Sequence, residues 1–593
     1  MEKNKRLTLL FPFLNWIGEL KDGKVLRADI LAGITVSLIL IPQSMANAQL
    51  ASLPPYYGLY AALLPPIIAA LFGSSRQLST GSVALVSLMT AAALQPIVAL
   101  DHADYIAYTI LLAFMVGGMQ LLFGLLRLGA LINFLSQPVV LGFTNAGAII
   151  IGTSQIDLIF GVQVASGGPH YMRVWHTLEQ SILHTHWPTL GMAILAFVIM
   201  GGLRKFAPRV PGILFAVVVT TLISWGIGFE SLLGGRVIGT IPRGMPDFST
   251  PQFDFEVMRA LLSPALTIAL IGYVGTISIA KSMATQTRQR ISANRELFGQ
   301  GLSNIVGSFF LSHPVSGSFA RSAVNLRAGA QTGFSSVVAV SIVVVILLWF
   351  TPLLYHLPAA TLAAIIMMSV FGLVQLRPIV KMWRVHRDDG LVAVVAFVLT
   401  LLAAPHLDVG ILTGAGLSLV LYLYRTMKPR VAVLSRHPDG ALRDAATHDL
   451  ELCDVMAMLR FDGSLYFGSA GAFEDMMLER VAHHPHLRYV IVDAEGINQL
   501  DATGEEMLVG VVQRLKEAQV EVLFAATKKQ IVDALAGTGS LEQIGGERFF
   551  ATPDQAIQSV WAKLDGEFPC HHLCPGECPL HRAKPKGAMF YRV

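Results

Sequence analysis

Hydrophobic and polar positions divide the chain into two unlike parts. From about residue 29 to 425 apolar residues run almost without a break. Polar interruptions cut that run into fourteen segments, centred near residues 40, 65, 89, 116, 145, 197, 219, 270, 304, 322, 343, 366, 397 and 417. Several are shorter than the ~20 residues a helix needs to cross a bilayer. After Arg430 the pattern changes, and 431–450 reads as a polar linker. Beyond it, strand-like runs at 455–463, 488–496 and 520–527 alternate with helix-like runs at 469–484, 501–519 and 528–539. That alternation predicts a small α/β domain over 451–562. At the other end, residues 1–28 form a basic segment whose short apolar stretch is broken by Pro12, Asn15 and Gly18. It reads as a cytoplasmic amphipathic lead-in, with a signal anchor as the alternative.

Composition supports the division. Of 593 residues, 53% are hydrophobic and 14% charged, where a soluble protein carries about 25% charged. The chain is expected to be a polytopic α-helical membrane protein. A net charge of +4 gives no support to a nucleic-acid partner. The placement of the basic residues says more. With both termini in the cytoplasm, inside loops collect Arg76, Arg127, Arg204, Lys205, Arg288, Arg290, Arg384 and Arg387, among others. Outside loops hold Arg173, Arg236, Arg243 and Arg259. This asymmetry fits fourteen crossings and makes the α/β domain cytoplasmic. One basic residue, Arg321, falls within a segment instead.

Arg321 follows closely on Ser316-Gly317-Ser318-Phe319-Ala320, which matches Thr80-Gly81-Ser82-Val83-Ala84. The two motifs fall in the third and tenth segments, the same position in each run of seven. With seven segments per half, the second half enters the membrane upside down, as in inverted-repeat transporters. Each motif reads as a helix start at membrane depth. Such an end carries about +0.5 of an elementary charge, and two together suit an anion. The hydroxyls of Thr80, Ser82, Ser316 and Ser318 can cap or donate. Arg321 adds a full charge, yet no Asp or Glu lies near the centre of any segment; Asp157, Asp408 and Asp29 lie toward ends. A bound anion is the simplest partner; snorkelling or bonds to backbone carbonyls are the alternatives. In the first segment Pro42 is expected to break the helix, and Gln43, Ser44 and Asn47 are uncharged polar groups that suit an oxyanion. Gln43 is assigned to substrate. Asn47 is open between substrate and helix–helix hydrogen bonding.

These stretches resemble a known family. "AGITVSLILIPQSMANAQLASLPPYYGLYAALLPPIIAALFGSSRQLSTGSVALVS", "ISIAKSMA" and "GSFARSAVNLRAGAQT" resemble sulfate permease (SulP) signatures, and the C-terminal domain resembles a STAS domain. The resemblance covers residues 10 to 560. It implies fourteen helices in a seven-plus-seven inverted repeat with core and gate domains, a homodimer, and inorganic anions or small carboxylates as substrates. It carries the site over to Gln43, to Ser82 with its neighbours Thr80 and Gly81, and to Ser318, Phe319 and Arg321, beside Ser316 and Gly317. Many bacterial members have a Glu two residues before the eighth-helix run, associated with proton or sodium coupling. Here Gly275 stands at that place, followed by Thr276, which puts cation coupling at this position in doubt.

In the STAS-like part, Asp501 and Thr503 lie at a strand-to-helix turn. Anti-sigma antagonists are phosphorylated in the matching loop, so Thr503 is a candidate switch. The preferred reading is that Asp501 or Thr503 caps the helix. In the tail, 563–593, Cys570, Cys574 and Cys578 lie near His571, His572 and His581. Their ligand types suit Zn²⁺ or an iron–sulfur cluster. The function expected is secondary transport of an inorganic anion, sulfate by resemblance, across a bacterial inner (plasma) membrane. Bicarbonate, chloride or dicarboxylate exchange, a channel, and an anion sensor signalling through the STAS domain or a regulator docked on it are the alternatives. No enzyme is expected, since no nucleophile–base set or phosphate loop appears.

Overall fold

The computed structural model of the chain describes residues 11–97, 102–129, 136–164, 168–207, 210–564 and 580. The chain divides into two compact units at residues 418/419, each with its own core. In the first unit, each of the fourteen predicted centres falls inside a helix. These are α1 (Gly23–Leu50), α2 (Leu64–Phe72), α3 (Ala84–Leu94), α4 (His102–Leu125), α5 (Gln137–Thr153), α6 (Trp187–Phe206) and α7 (Gly212–Gly226), then α8 (Phe255–Thr287), α9 (Ala293–Ser308), α10 (Phe319–Arg327), α11 (Phe334–Val345), α12 (Ala359–Phe371), α13 (Arg387–Ala403) and α14 (Leu407–Met427). Eight of the described helices are long and apolar enough to cross a bilayer. The helices α3 and α10 are conspicuously short, at 11 and 9 residues.

Helix α1 starts at Gly23, six residues before the predicted onset. Asp22 caps it, accepting from the backbone N–H of Lys24 at 2.9 Å. Pro42 does not break it: the helix continues through to Leu50. A proline removes one N–H and crowds the carbonyl four residues back, which a long buried helix tolerates where neighbouring elements pack around the fault. The chain then turns back tightly. At Gly58 a Cβ would sit 1.9 Å from the carbonyl oxygen of Ser44, so only glycine allows this approach.

Helices α4 and α9 meet backbone to backbone. A Cβ at Gly301 would lie 2.4 Å from the nitrogen of Leu121, and one at Gly117 would lie 2.7 Å from the carbonyl oxygen of Gly301. Small residues serve helix contact in membranes because lipid supplies no hydrophobic drive between helices; close packing must supply it. Polar groups join the same seam, with Asn304 Nδ2 donating to Gln120 Oε1 at 3.1 Å.

The second unit holds a six-stranded sheet in the order β4-β3-β5-β6-β7-β8, with β3 Arg430–Arg436, β4 Leu442–Asp444, β5 Met456–Asp462, β6 Tyr489–Asp493, β7 Glu521–Ala525 and β8 Phe549–Phe550. Strands β5 to β8 are parallel, and β3 is antiparallel to both β4 and β5. Helices α15 (Ala470–His483), α16 (Ala502–Glu517) and α17 (Lys529–Thr538) alternate with the parallel strands as expected. Their core includes Phe461, Phe473, Leu508 and Phe524. Helix α18 (Pro553–Leu564) contributes to a second core, with Leu434, Met458 and Leu580. The reading of 431–450 as a linker is corrected: it holds two strands. Ala432 and Leu434 are buried while Val431 is exposed, the alternation of a strand with one covered face.

We predict that Gly301→Leu costs about 3 kcal/mol or more of stability through overpacking. Gly191→Leu on α6, where a Cβ meets nothing within 4 Å, should be close to neutral. Thermal unfolding of the purified variants in detergent checks this; equal midpoints would contradict the backbone contact.

Candidate functional site

Two short strands place the site. Thr80–Gly81 forms β1 and Ser316–Gly317 forms β2, paired antiparallel, Thr80 opposite Gly317 and Gly81 opposite Ser316. The two motifs singled out in the sequence are thus joined across 236 positions of chain, and Ser318 N–H extends the ladder to the carbonyl of Ser79 at 2.9 Å. Each strand runs straight into a helix. Val83 precedes α3 and Ser318 precedes α10, so two helix N-termini begin beside one strand pair.

Caps differ between the two. Ser318 Oγ accepts from the Arg321 N–H at 3.5 Å, a long cap. Helix α3 has Val83 at its cap position and no side-chain cap, so of the two roles open to the Ser82 hydroxyl, capping or donating, it does not cap this helix. Ser82 is a hub instead. Its carbonyl accepts from Arg321 Nη1 at 2.9 Å and from Asn47 Nδ2 at 3.0 Å. Its hydroxyl lies 2.7 Å from Nε2 of His313 and 3.4 Å from Ser87 Oγ. Asn47 thus ties α1 to the backbone between β1 and α3.

Arg321 is fully buried. Besides the Ser82 carbonyl it donates through Nη1 to Gln43 Oε1 at 3.1 Å and through Nε to Ser79 Oγ at 3.4 Å. Its Nη2 has no partner among the described residues. All its recorded acceptors are neutral, so the guanidinium charge is solvated by dipoles and not cancelled. The backbone alternative therefore accounts for part of its bonding, and Nη2 is left without an acceptor among the described residues. Gly81 makes room for that fork: it adopts φ +149°, and a Cβ there would lie 3.1 Å from Nη2.

Other predicted residues hold the strands. Thr80 Oγ1 accepts from Gln300 Nε2 at 2.8 Å. Ser316 Oγ donates to the carbonyl of Gly272 at 2.9 Å and lies 3.0 Å from Thr276 Oγ1. Thr276 Oγ1 also accepts the Gly317 N–H at 3.0 Å. Thr276 thus anchors β2 to α8, while a Cβ at Gly275 meets nothing within 4 Å. Phe319 is 59% exposed at the first position of α10. Ser44 is buried with an unpartnered hydroxyl.

The sequence reading missed three groups. His313, 1% exposed, lies just ahead of β2; the Ser-His-Pro triplet in the lead-in was its only signal. Glu296 on α9 is buried and accepts from Ser74 N–H at 2.6 Å, Ser74 Oγ at 2.6 Å and Ser75 N–H at 2.7 Å. Gln300 holds Thr80. A cavity of about 270 Å³ opens elsewhere, among Gln49, Gln95, Asp157, His170 and Arg173. None of the residues assigned to the anion lines it, and there Arg173 is paired with Asp157 at 4.0 Å.

In the second unit Asp501 caps α16, accepting from Gly504 N–H at 2.7 Å, and its other oxygen accepts from Phe467 N–H at 3.0 Å. Thr503 is exposed at the second helical position. Cys570, His571, His572, Cys574, Cys578 and His581 lie outside the described residues, among which no metal-ligand cluster occurs.

Paired half-helices starting from crossed strands inside a bundle of apolar helices define a membrane carrier of the discontinuous-helix class. Residues 26–396 match the sulfate permease family and residues 449–556 the STAS domain; the chain belongs to the sulfate permease family. It is 32% identical to sulfate transporter 4.1, chloroplastic, of Arabidopsis thaliana over 569 residues, covering 93% of this chain and 82% of that one. It is also 32% identical to a probable sulfate transporter of Mycobacterium tuberculosis, covering 90% of this chain and 95% of that one. Among solved structures, the fold is similar to that of SLC26A9, with a TM-score of 0.86 at 21% identity, covering 96% of each chain. The transmembrane domain of a cyanobacterial bicarbonate transporter, BicA, gives 0.57 at 24% identity over 66% of this chain and 97% of that one.

We predict that Thr276→Val lowers stability by about 1–3 kcal/mol, because the Gly317 N–H loses its acceptor. Thr276→Ser should restore most of it. Thermal midpoints decide; no change in the valine variant would contradict the anchoring role.

Proposed function

We propose that the protein is a secondary active transporter of inorganic anions, with sulfate as its substrate. The anion is held between the N-termini of α3 and α10, beside Arg321, and passes by alternating access of the two repeats. One observation carries this reading: Arg321 is fully buried, all its recorded acceptors are neutral, and Nη2 has no partner among the described residues. A buried cation at membrane depth needs compensation. Two helix starts beside it repel a second cation and favour an anion. The curated relatives named as sulfate transporters, aligned along most of both chains, support sulfate.

In this reading Gln43 orients the guanidinium. The α3 amides, which lack a side-chain cap, and the hydroxyls of Ser82 and Ser318 face the anion. Phe319, largely exposed at the start of α10, covers the entry. The lysine and arginine asymmetry supports a topology with both termini in the cytoplasm of a plasma membrane. The family resemblance implies a homodimer, with the STAS domain as the surface for a regulator.

Purified full-length protein in proteoliposomes tests the proposal. Saturable uptake of radiolabelled sulfate is expected, with accelerated counterflow, and competition by selenate above bicarbonate or a dicarboxylate. Arg321→Ala should lower uptake at least tenfold, since a charge-assisted hydrogen bond is worth ~1.5–3 kcal/mol and 1.4 kcal/mol is tenfold. If uptake survives in a variant of unchanged thermal midpoint, Arg321 is a strut for the strands and the anion sits elsewhere.

A further inference from the structure

Among the described residues, a buried histidine is joined directly to the assigned anion site and is left without a task by the transport reading. His313 lies between α9 and β2, is 1% exposed, and bonds through Nε2 to the hydroxyl of Ser82 at 2.7 Å. Its Nδ1 is buried and has no partner among the described residues. Whichever atom donates in the Ser82–His313 bond, Nδ1 is left over, and buried polar atoms without partners are uncommon enough to need a ligand, a water or a proton. Among the described residues, Ser82 is the one recorded hydrogen-bond partner of the ring. Arg321 reaches it only through Ser82, whose carbonyl accepts from Nη1. Glu296 is occupied with Ser74 and Ser75.

We propose that His313 is the proton-coupling group of this carrier, taking up a proton with each anion. The inference rests on the transport reading above. The link is the hydroxyl of Ser82. With neutral His313 accepting at Nε2, the single Ser82 hydrogen points at the ring and is lost to the anion. Protonated His313 has hydrogen on both nitrogens. Nε2–H then donates to Ser82 Oγ, and the Ser82 hydrogen must turn elsewhere, toward the anion or toward Ser87 at 3.4 Å. Nδ1–H becomes a second donor in search of an acceptor. Protonation thus adds donors to the site, and a bound anion favours the protonated ring.

Charge counting points the same way. Arg321 supplies one positive charge, and a divalent oxyanion leaves one negative charge over. One proton on His313 brings the loaded site to zero, the form best suited to move through a low-dielectric bundle. No covalent bond forms or breaks apart from the transfer: the proton comes from water on the side of loading and returns to water on the side of release.

The test is the number of protons entering per sulfate, read with a pH dye trapped in proteoliposomes beside radiolabelled sulfate. Wild type should carry about one proton per sulfate, since one imidazole takes up one proton. His313→Gln, whose amide can hold Ser82 but does not titrate, should carry none, whatever sulfate rate it keeps. Where the Gln variant yields no stable carrier, His313→Asn gives the same ratio. In wild type, sulfate affinity should weaken up to tenfold per pH unit above the titration of the ring, and the Gln variant should lose that slope. Sulfate flux without protons in wild type, or an unchanged ratio in either variant, overturns the proposal. Absence of any sulfate flux in wild type overturns the transport reading, and this inference with it.

Discussion

Non-helical backbone in the middle of a helical membrane bundle is the constraint from which the rest follows. Lipid and packed apolar side chains offer nothing to an open N–H or C=O, so irregular segments survive there only where protein groups take up their bonds. Residues 77–83 and 312–318 are two such segments, and each solves the problem for the other. Their strands pair, and side chains from three helices complete the set: Asn47 from α1, Thr276 from α8, and Gln300 and Asn304 from α9. Ser322 and Asn325 of α10 accept from and donate to residues 79 and 77 of the first half. Two helices can then begin in the interior of the fold, and their N-termini become available as fixed partial charges.

Carboxylates are used to stiffen this arrangement away from the strand pair. Asp29 on α1 accepts from the backbone of Gln331 at 2.7 Å and of Thr332 at 3.1 Å, after α10. Glu296 on α9 does the same for Ser74 and Ser75, ahead of β1. Each clamps a loop of the opposite half. Neither touches Arg321, whose recorded acceptors among the described residues are all neutral. An anion can supply that compensation and later leave, whereas a fixed carboxylate would close the site permanently.

Much of this was legible in the sequence for physical reasons. Fourteen apolar runs of the right spacing gave helices at each predicted centre, because burial in lipid or protein demands apolar side chains around most of the helix. The repeated Gly-Ser motif and the lone Arg321 marked the half-helices, since both are costly away from a site. What failed depended on partners distant in sequence. His313, Glu296 and Gln300 are ordinary polar residues until the fold brings Ser82, Ser74 and Thr80 to them, more than 200 positions away. Pro42 looked like a breaker, but the helix around it runs on. Strands β3 and β4 were read as linker because an edge pair of seven and three residues, flanked by charges, is a weak pattern until the sheet covers one face of it.

The central claim is that an anion completes the open side of Arg321 between two helix starts. A structure of the protein with bound selenate, whose selenium scatters anomalously, tests it most directly. The account predicts one strong peak between the first turns of α3 and α10, within about 4 Å of Arg321 Nη2, as a hydrogen-bonded oxyanion requires. A peak only at surface arginines, or at the cavity beside Arg173, would contradict it.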